Sequence, residues 1–217
     1  MPKRDRTTGN KTRRDLNSEG TRRAIRRAAR RLFGRLGYAG TSLAAVVRAA
    51  NVTTGAVYHH FGDKRGLFRA VAEDAEAEIL ERILAARPEK ADPWAGFLAC
   101  TSAMFVVCTE PDIHRIVFLD APNVFGATEW REIEMRFGFG AMHGALKSLK
   151  AAGLIRSGSV DVLAPILMGA LIEAANTIAR AEDKAATSAD AHDTIVRLLE
   201  SLRVSNEATT PAEAKRR

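Results

Sequence analysis

Apolar residues recur along most of this chain at the three-and-four spacing of helices, and no run alternates as a half-buried strand would. From Thr21 onward, Ile25, Ala28, Ala29, Leu32, Phe33 and Leu36 fall on one helical face. The opposite face is Arg22, Arg23, Arg26, Arg27, Arg30 and Arg31, and Gly37 ends the helix. A second helix starts at a cap, Thr41 or Ser42, and buries Leu43, Val46, Val47 and Ala50. Asn51 suits the left-handed backbone of a tight turn. Thr53 or Thr54 caps a short third helix that reaches about Phe61. Gly62-Asp63 breaks it, and a fourth helix carries Leu67, Phe68, Val71, Ala75, Ile79 and Ile83 to about Ala86.

The remainder also reads as helices. One runs from Pro93 to about Thr109, a short one over Asp112–Leu119 is closed by Pro122, and a long one spans Thr128–Ala152. Another covers Ser159–Ala181, with Pro165 near its start. A polar stretch, Glu182–Asp190, leads to a last helix ending near Val204. The fold class is therefore all-α, with about nine helices. The domain division predicted is a disordered basic arm at 1–20, a head of short helices at 21–68, a helical body at 69–204 and a disordered tail at 205–217.

Charge sharpens this division. The chain has 217 residues, 46% of them hydrophobic and 27% charged, which excludes wholesale disorder. Its net charge is +7, but residues 1–70 hold 17 Lys/Arg against 4 Asp/Glu, a net of +13, and the rest a net of −6. A cationic head on an acidic body points to a polyanion partner for the head alone. No run approaches the roughly 18–20 apolar residues of a bilayer span, and no apolar core follows the charged N-terminus as in a signal peptide. Two cysteines, Cys100 and Cys108, make no disulfide framework and fit a reducing cytoplasm.

The two short helices joined at Asn51-Val52-Thr53 have the lengths and turn of a helix-turn-helix. In that motif the second helix enters the major groove N-terminus first. Thr53, Thr54, Gly55 and Ala56 are small and polar enough for close approach, and Tyr58, His59 and His60 follow on the exposed side. The helix starts at Thr41-Ser42 and Thr53-Thr54 offer free amides to phosphates. In the arm, Lys11, Arg13 and Arg14 are candidates for groove or phosphate contact, whereas about half of the arginine face should simply be solvated.

The run GTSLAAVVRAANVTTGAVYHHFGDKRGLF at Gly40–Phe68 resembles the DNA-binding signature of the tetracycline-repressor (TetR) family of bacterial regulators. The matching pieces are Thr41-Ser42, the Ala-x-Val-Thr turn at Ala50–Thr53, Gly55, Tyr58, Phe61, Lys64 and Leu67. The stretch LDAPNVFGATEWREIEMRFG is reminiscent of some members' effector domains. The resemblance implies a three-helix head hinged by the fourth helix to a ligand-binding body, and a homodimer on palindromic double-stranded DNA. It places Thr41, Thr53, Tyr58 and Lys64 on phosphates, and Thr54, Gly55 and His59 on base edges. Two positions depart from the pattern: Asn51 stands where the family more often has Gly, and Arg65 where it often has an acidic residue.

Within the body, Phe105, Cys108, Phe118, Trp130, Phe137 and Met142 are candidates to line an apolar pocket for a hydrophobic small molecule. The last two helices carry Leu167, Leu171, Ala174, Ile178, Leu198 and Leu202, an apolar excess that predicts a two-fold four-helix interface. His59 and His60 are adjacent and point apart, and His114, His143 and His192 lack ligand spacing, so no metal site and no cofactor is expected. No catalytic constellation is visible, and an enzyme is not expected. The expected function is a ligand-responsive repressor. The alternative is a soluble helical carrier of hydrophobic ligands whose arginine face docks on anionic lipid.

Overall fold

The computed structural model describes residues 13–204 apart from Ser157. Among these residues there is no strand, only an isolated antiparallel bridge between Ile155 and Arg203. The helices are α1 (Arg13–Gly40), α2 (Leu43–Ala50), α3 (Thr54–Phe61), α4 (Lys64–Ala85), α5 (Pro93–Cys108), α6 (Pro111–Ile113), α7 (Ala121–Phe125), α8 (Ala127–Glu134), α9 (Gly138–Ala151), α10 (Val160–Arg180) and α11 (Lys184–Leu202). A π-helical turn, His114–Asp120, joins α6 to α7.

Three expectations are corrected. The segment 13–20, predicted as part of a disordered arm, is the first part of α1. Arg13, Arg14, Leu16 and Glu19 are good helix formers, and once a helix is nucleated downstream each added residue costs little. Lys11 and the tail 205–217 lie outside the described residues. Secondly, α11 begins at Lys184, inside the stretch read as a polar link, because Asp183 caps it by accepting the Ala186 N–H at 3.0 Å. Thirdly, the long helix expected over Thr128–Ala152 is two, α8 and α9, broken at 135–137. Helix α10 also revises the membrane reading: by length and composition alone it would pass for a span, with one third of its apolar window buried in this protomer.

The chain forms two compact units. Among the described residues, the first is 13–78 with 110–133, and the second 79–109 with 134–204. The division therefore does not run at residue 68, and α4 begins in one unit and ends in the other.

In the first unit the core is Ile25, Phe33, Val46, Val57, Leu67 and Phe68, all fully buried. Segment 110–133 docks on α1 at two glycines. A Cβ on Gly34 would lie 2.6 Å from Asp112 Cβ, so α1 and α6 approach as closely as they do only because position 34 has no side chain. Gly37 takes φ 75°, and there α1 leaves helical geometry. The Asp120 carboxylate accepts the Tyr38 N–H at 2.7 Å just past this kink. The π turn has a local cause as well. Pro122 has no N–H to give to the carbonyl four residues back, and the Ala121 N–H reaches five residues back, to the Ile116 carbonyl. Gly34→Val should cost about 1–3 kcal/mol by overpacking. Chemical denaturation would measure it, and an unchanged midpoint would contradict the close approach.

In the second unit α10 is central, packing on α9, α11 and α5. It buries Ala164, Leu167, Met168, Leu171, Ala175 and Ile178, and α11 buries Ile195 and Leu199. Trp94 Nε1 donates to the Glu200 carboxylate at 2.8 Å, pinning the start of α5 to the end of α11.

Candidate nucleic-acid interface

Two side-chain caps build the helix-turn-helix. Ser42 Oγ accepts the Ala45 N–H at 3.2 Å and starts α2; Thr53 Oγ1 accepts the Ala56 N–H at 3.2 Å and starts α3. Between them Asn51 sits at φ 53°, ψ 51°, the left-handed conformation expected of it. Val57 is fully buried and holds α3 on the bundle. Asp63 then accepts the Gly66 N–H at 2.7 Å and opens α4.

The structure sorts the predicted contact residues. Ser42, Thr53, Thr54, Gly55 and His59 are exposed, Tyr58 is 53% exposed, and His60 is half-buried. A Cβ on Gly55 would meet nothing within 4 Å, so the protein's own packing does not require glycine there. Glycine inside a helix costs about 1 kcal/mol against alanine, and room for an outside surface is what it supplies. Thr41 is a correction. It is 1% exposed and its hydroxyl donates to the Gly37 carbonyl at 2.8 Å, so this side chain serves the turn and cannot reach a phosphate. Lys64 holds its ammonium 4.3 Å from the Tyr38 ring centre, a cation–π contact that aims it from the start of α4.

The arginines divide. Arg26 pairs with Asp74, and Arg30 with Glu78 at 3.2 Å and Asp112 at 3.0 Å, so these two clamp α1 to α4 and α6. Burial nonetheless raises the Asp74 carboxyl above its ordinary range, outweighing the nearby Arg26. Arg65 is not the extra surface cation expected from sequence. It donates to Glu129 at 2.7 Å and lies over the Phe125 ring at 5.0 Å. Arg69 reaches the same carboxylate at 3.3 Å. The hydrogen bond from Arg65 holds the Glu129 carboxyl below its usual range. The clamp is therefore intact at neutral pH and is lost only as pH falls through that lowered value. These groups, with Phe125, Gly126 and Thr128, line an open groove of about 640 Å³.

None of the six predicted effector-lining residues borders that groove. Phe118 and Trp130 belong to the first unit; Phe105, Cys108, Phe137 and Met142 belong to the second. Phe105, Cys108 and Trp130 are buried, the other three half-buried. Sequence reasoning missed a polar pair beside Phe105: Ser102 Oγ and His192 Nε2 are 2.7 Å apart, and the His192 ring meets Phe105 edge-on at 6.1 Å. No local spacing links residues on α5 and α11, so no sequence signal was available. Among the described residues no cluster of His, Cys, Asp or Glu could hold a metal.

A family model described as bacterial regulatory proteins of the tetR family matches residues 25–71. A second, the tetracyclin repressor-like C-terminal domain, matches residues 94–202, half of the chain. The chain belongs to the TetR family. A TetR-family transcriptional regulator of Pectobacterium atrosepticum is 35% identical, with TM-score 0.74 over 90% of this chain and 99% of that one. The regulator AcrR of Shigella flexneri is 44% identical over 64 residues, 30% of each chain. The chain matches only 30–34% of the length of such curated relatives. The structure of AibR with isovaleryl coenzyme A and operator DNA shares the fold, at 22% identity and TM-score 0.62 over 82% of this chain and 97% of that one. As a TetR-family regulator, the chain presents its motif on α2 and α3 and its C-terminal match on unit two.

Buried apolar side chains revise the dimer residues. Leu167, Leu171 and Ile178 are at most 7% exposed and face this protomer's own core. Ala174 and Leu202 are half-buried and Leu198 is 48% exposed. The open apolar positions on α10 are instead Val162 and Ile166, one helical turn apart, at 59% and 61%.

Proposed function

We propose that this protein is a cytoplasmic transcriptional repressor that binds operator DNA as a homodimer and releases it when a hydrophobic small molecule enters the second unit. The observation that carries the reading is the first turn of α3: a capped helix start whose Thr53, Thr54 and Gly55 are exposed, with open space over Gly55. Small side chains and unpaired amides at a helix start suit the major groove and its phosphates. Val162, Ile166 and Leu198 supply the apolar surface for a second copy. A dimer would set two copies of α3 about 34–36 Å apart, one turn of DNA. An effector acts only by preferring one of two arrangements, and a coupling of about 1–3 kcal/mol changes occupancy about 5- to 150-fold. The likeness in fold to AibR, whose complex holds both an acyl-coenzyme A and operator DNA, supports two separate sites.

The test is affinity for the DNA upstream of the protein's own coding sequence, measured against salt. Log K should fall steeply, at about −0.9 per neutralised phosphate; a flat profile overturns the reading. Lys64→Ala should weaken all duplexes alike and lower the salt slope by about 1 per protomer. Thr54→Ala should change which sequences are preferred. If the two variants behave identically, phosphate and base contacts have been assigned wrongly.

A further inference from the structure

We infer that the recognition helix takes up protons when it binds DNA, through His59 and His60, so that operator affinity rises as pH falls through neutrality. This rests on the DNA-binding reading above.

The argument starts from placement. His59 and His60 occupy the last turn of α3, with ring centres 5.1 Å apart. His59 is exposed, His60 half-buried against Phe61 at 6.1 Å, and Arg22 of α1 lies over that same Phe61 ring at 5.8 Å. Helices α1 and α2 are the elements packed on α3. From α1 the charge that acts on His60 is Arg22; from α2 the only charged residue is Arg48. After α3 come Asp63, which accepts the Gly66 N–H, and Lys64, which sits on Tyr38. The local field is thus cationic. Burial, then His59, then Arg22 hold the His60 imidazole below its ordinary value.

A duplex reverses that field. It brings one phosphate charge per ~1.7 Å of axis, and an opposite charge nearby favours the protonated imidazole. Each ring then binds a proton more readily on DNA than off it. Phosphates do not titrate in this range, whereas histidine does. By linkage the slope of log K against pH equals minus the number of protons taken up. A dimer has four such rings, so the slope lies between 0 and about −4.

The experiment uses the full chain and a duplex selected from a random-sequence library with this protein at about pH 8, above the ordinary imidazole range. Affinity is then measured from about pH 8 to pH 6 at fixed ionic strength, with a random-sequence duplex as control. The expected result is a gain of about tenfold or more, reduced to nearly none in a His59→Gln/His60→Gln double variant. A wild-type slope of zero overturns the inference while leaving DNA binding intact. So does a slope the double variant retains, which would place the protons on groups other than His59 and His60. Ring-proton NMR keeps the test open should the double variant bind poorly: the His59 and His60 titrations in the unaltered protein should move to higher pH on adding duplex, and no movement overturns the inference. Failure to select any duplex overturns the DNA-binding reading and this one with it.

Discussion

Phe68→Ala is expected to lower the unfolding free energy of the first unit by about 3–5 kcal/mol, the range for removing a buried aromatic side chain. Phe68 is fully buried at the start of α4. Its ring meets Phe33 of α1 edge-on at 4.9 Å, Tyr38 at 5.0 Å, and Phe125 of α7 stacked at 5.6 Å. Phe125 in turn stacks on Trp130 at 6.0 Å. Truncation therefore opens a cavity where three separate stretches of chain meet, and close-packed neighbours relax into such a gap only partly. Because Tyr38 also carries Lys64 on its other contact, the duplex affinity should fall along with stability. Urea denaturation followed by tryptophan fluorescence would report the change. A loss below about 1 kcal/mol would mean that this aromatic cluster is not the joint between α1, α4 and α7.

Ile166→Arg, alone or with Val162→Arg, is expected to give a monomer whose operator affinity is about 10²- to 10⁴-fold weaker. Both side chains stand about 60% exposed on a helix whose opposite face is buried, and a guanidinium on each copy would face its twin across a two-fold axis. Two linked binding modules gain about that factor over one, without any added contact. Sedimentation velocity reads the assembly state, and a gel shift reads the affinity. A dimer that persists unchanged would move the interface off α10. The same substitution at Leu171 would instead unfold the second unit, since that residue is 2% exposed inside the protomer.

Much of this was legible in the chain and some was not, for physical reasons. Local signals carried well. The caps, each one of two candidates and found at Ser42 and Thr53, the Asn51 turn and the stripe from Ile25 to Phe33 all depend on neighbours a few residues away. The helix-breaking power of Gly37 was also local, although its Cα-only side serves a second purpose under Asp120. What failed involved distance. Arg65 looks like one more surface cation until Glu129, 64 residues later, is brought against it. Leu167 and Leu171 look like interface because helical periodicity identifies an apolar face without saying what covers it; here α9, α5 and α11 do. The resemblance put Thr41 on a phosphate, and a motif match carries residue type but not the burial of a turn hydroxyl.

The chain passes from one compact unit to the other at residues 78/79, 109/110 and 133/134. The head is consequently not a detachable module. A chimera built by splicing another regulator's body after residue 68 would discard Phe125, Glu129 and Asp112, so that Phe68 loses its stacked ring and Arg65 and Arg30 lose these carboxylates. Transplanting the DNA specificity of this protein therefore calls for two grafts, residues 13–78 together with 110–133, or for changes confined to the exposed side chains of α3.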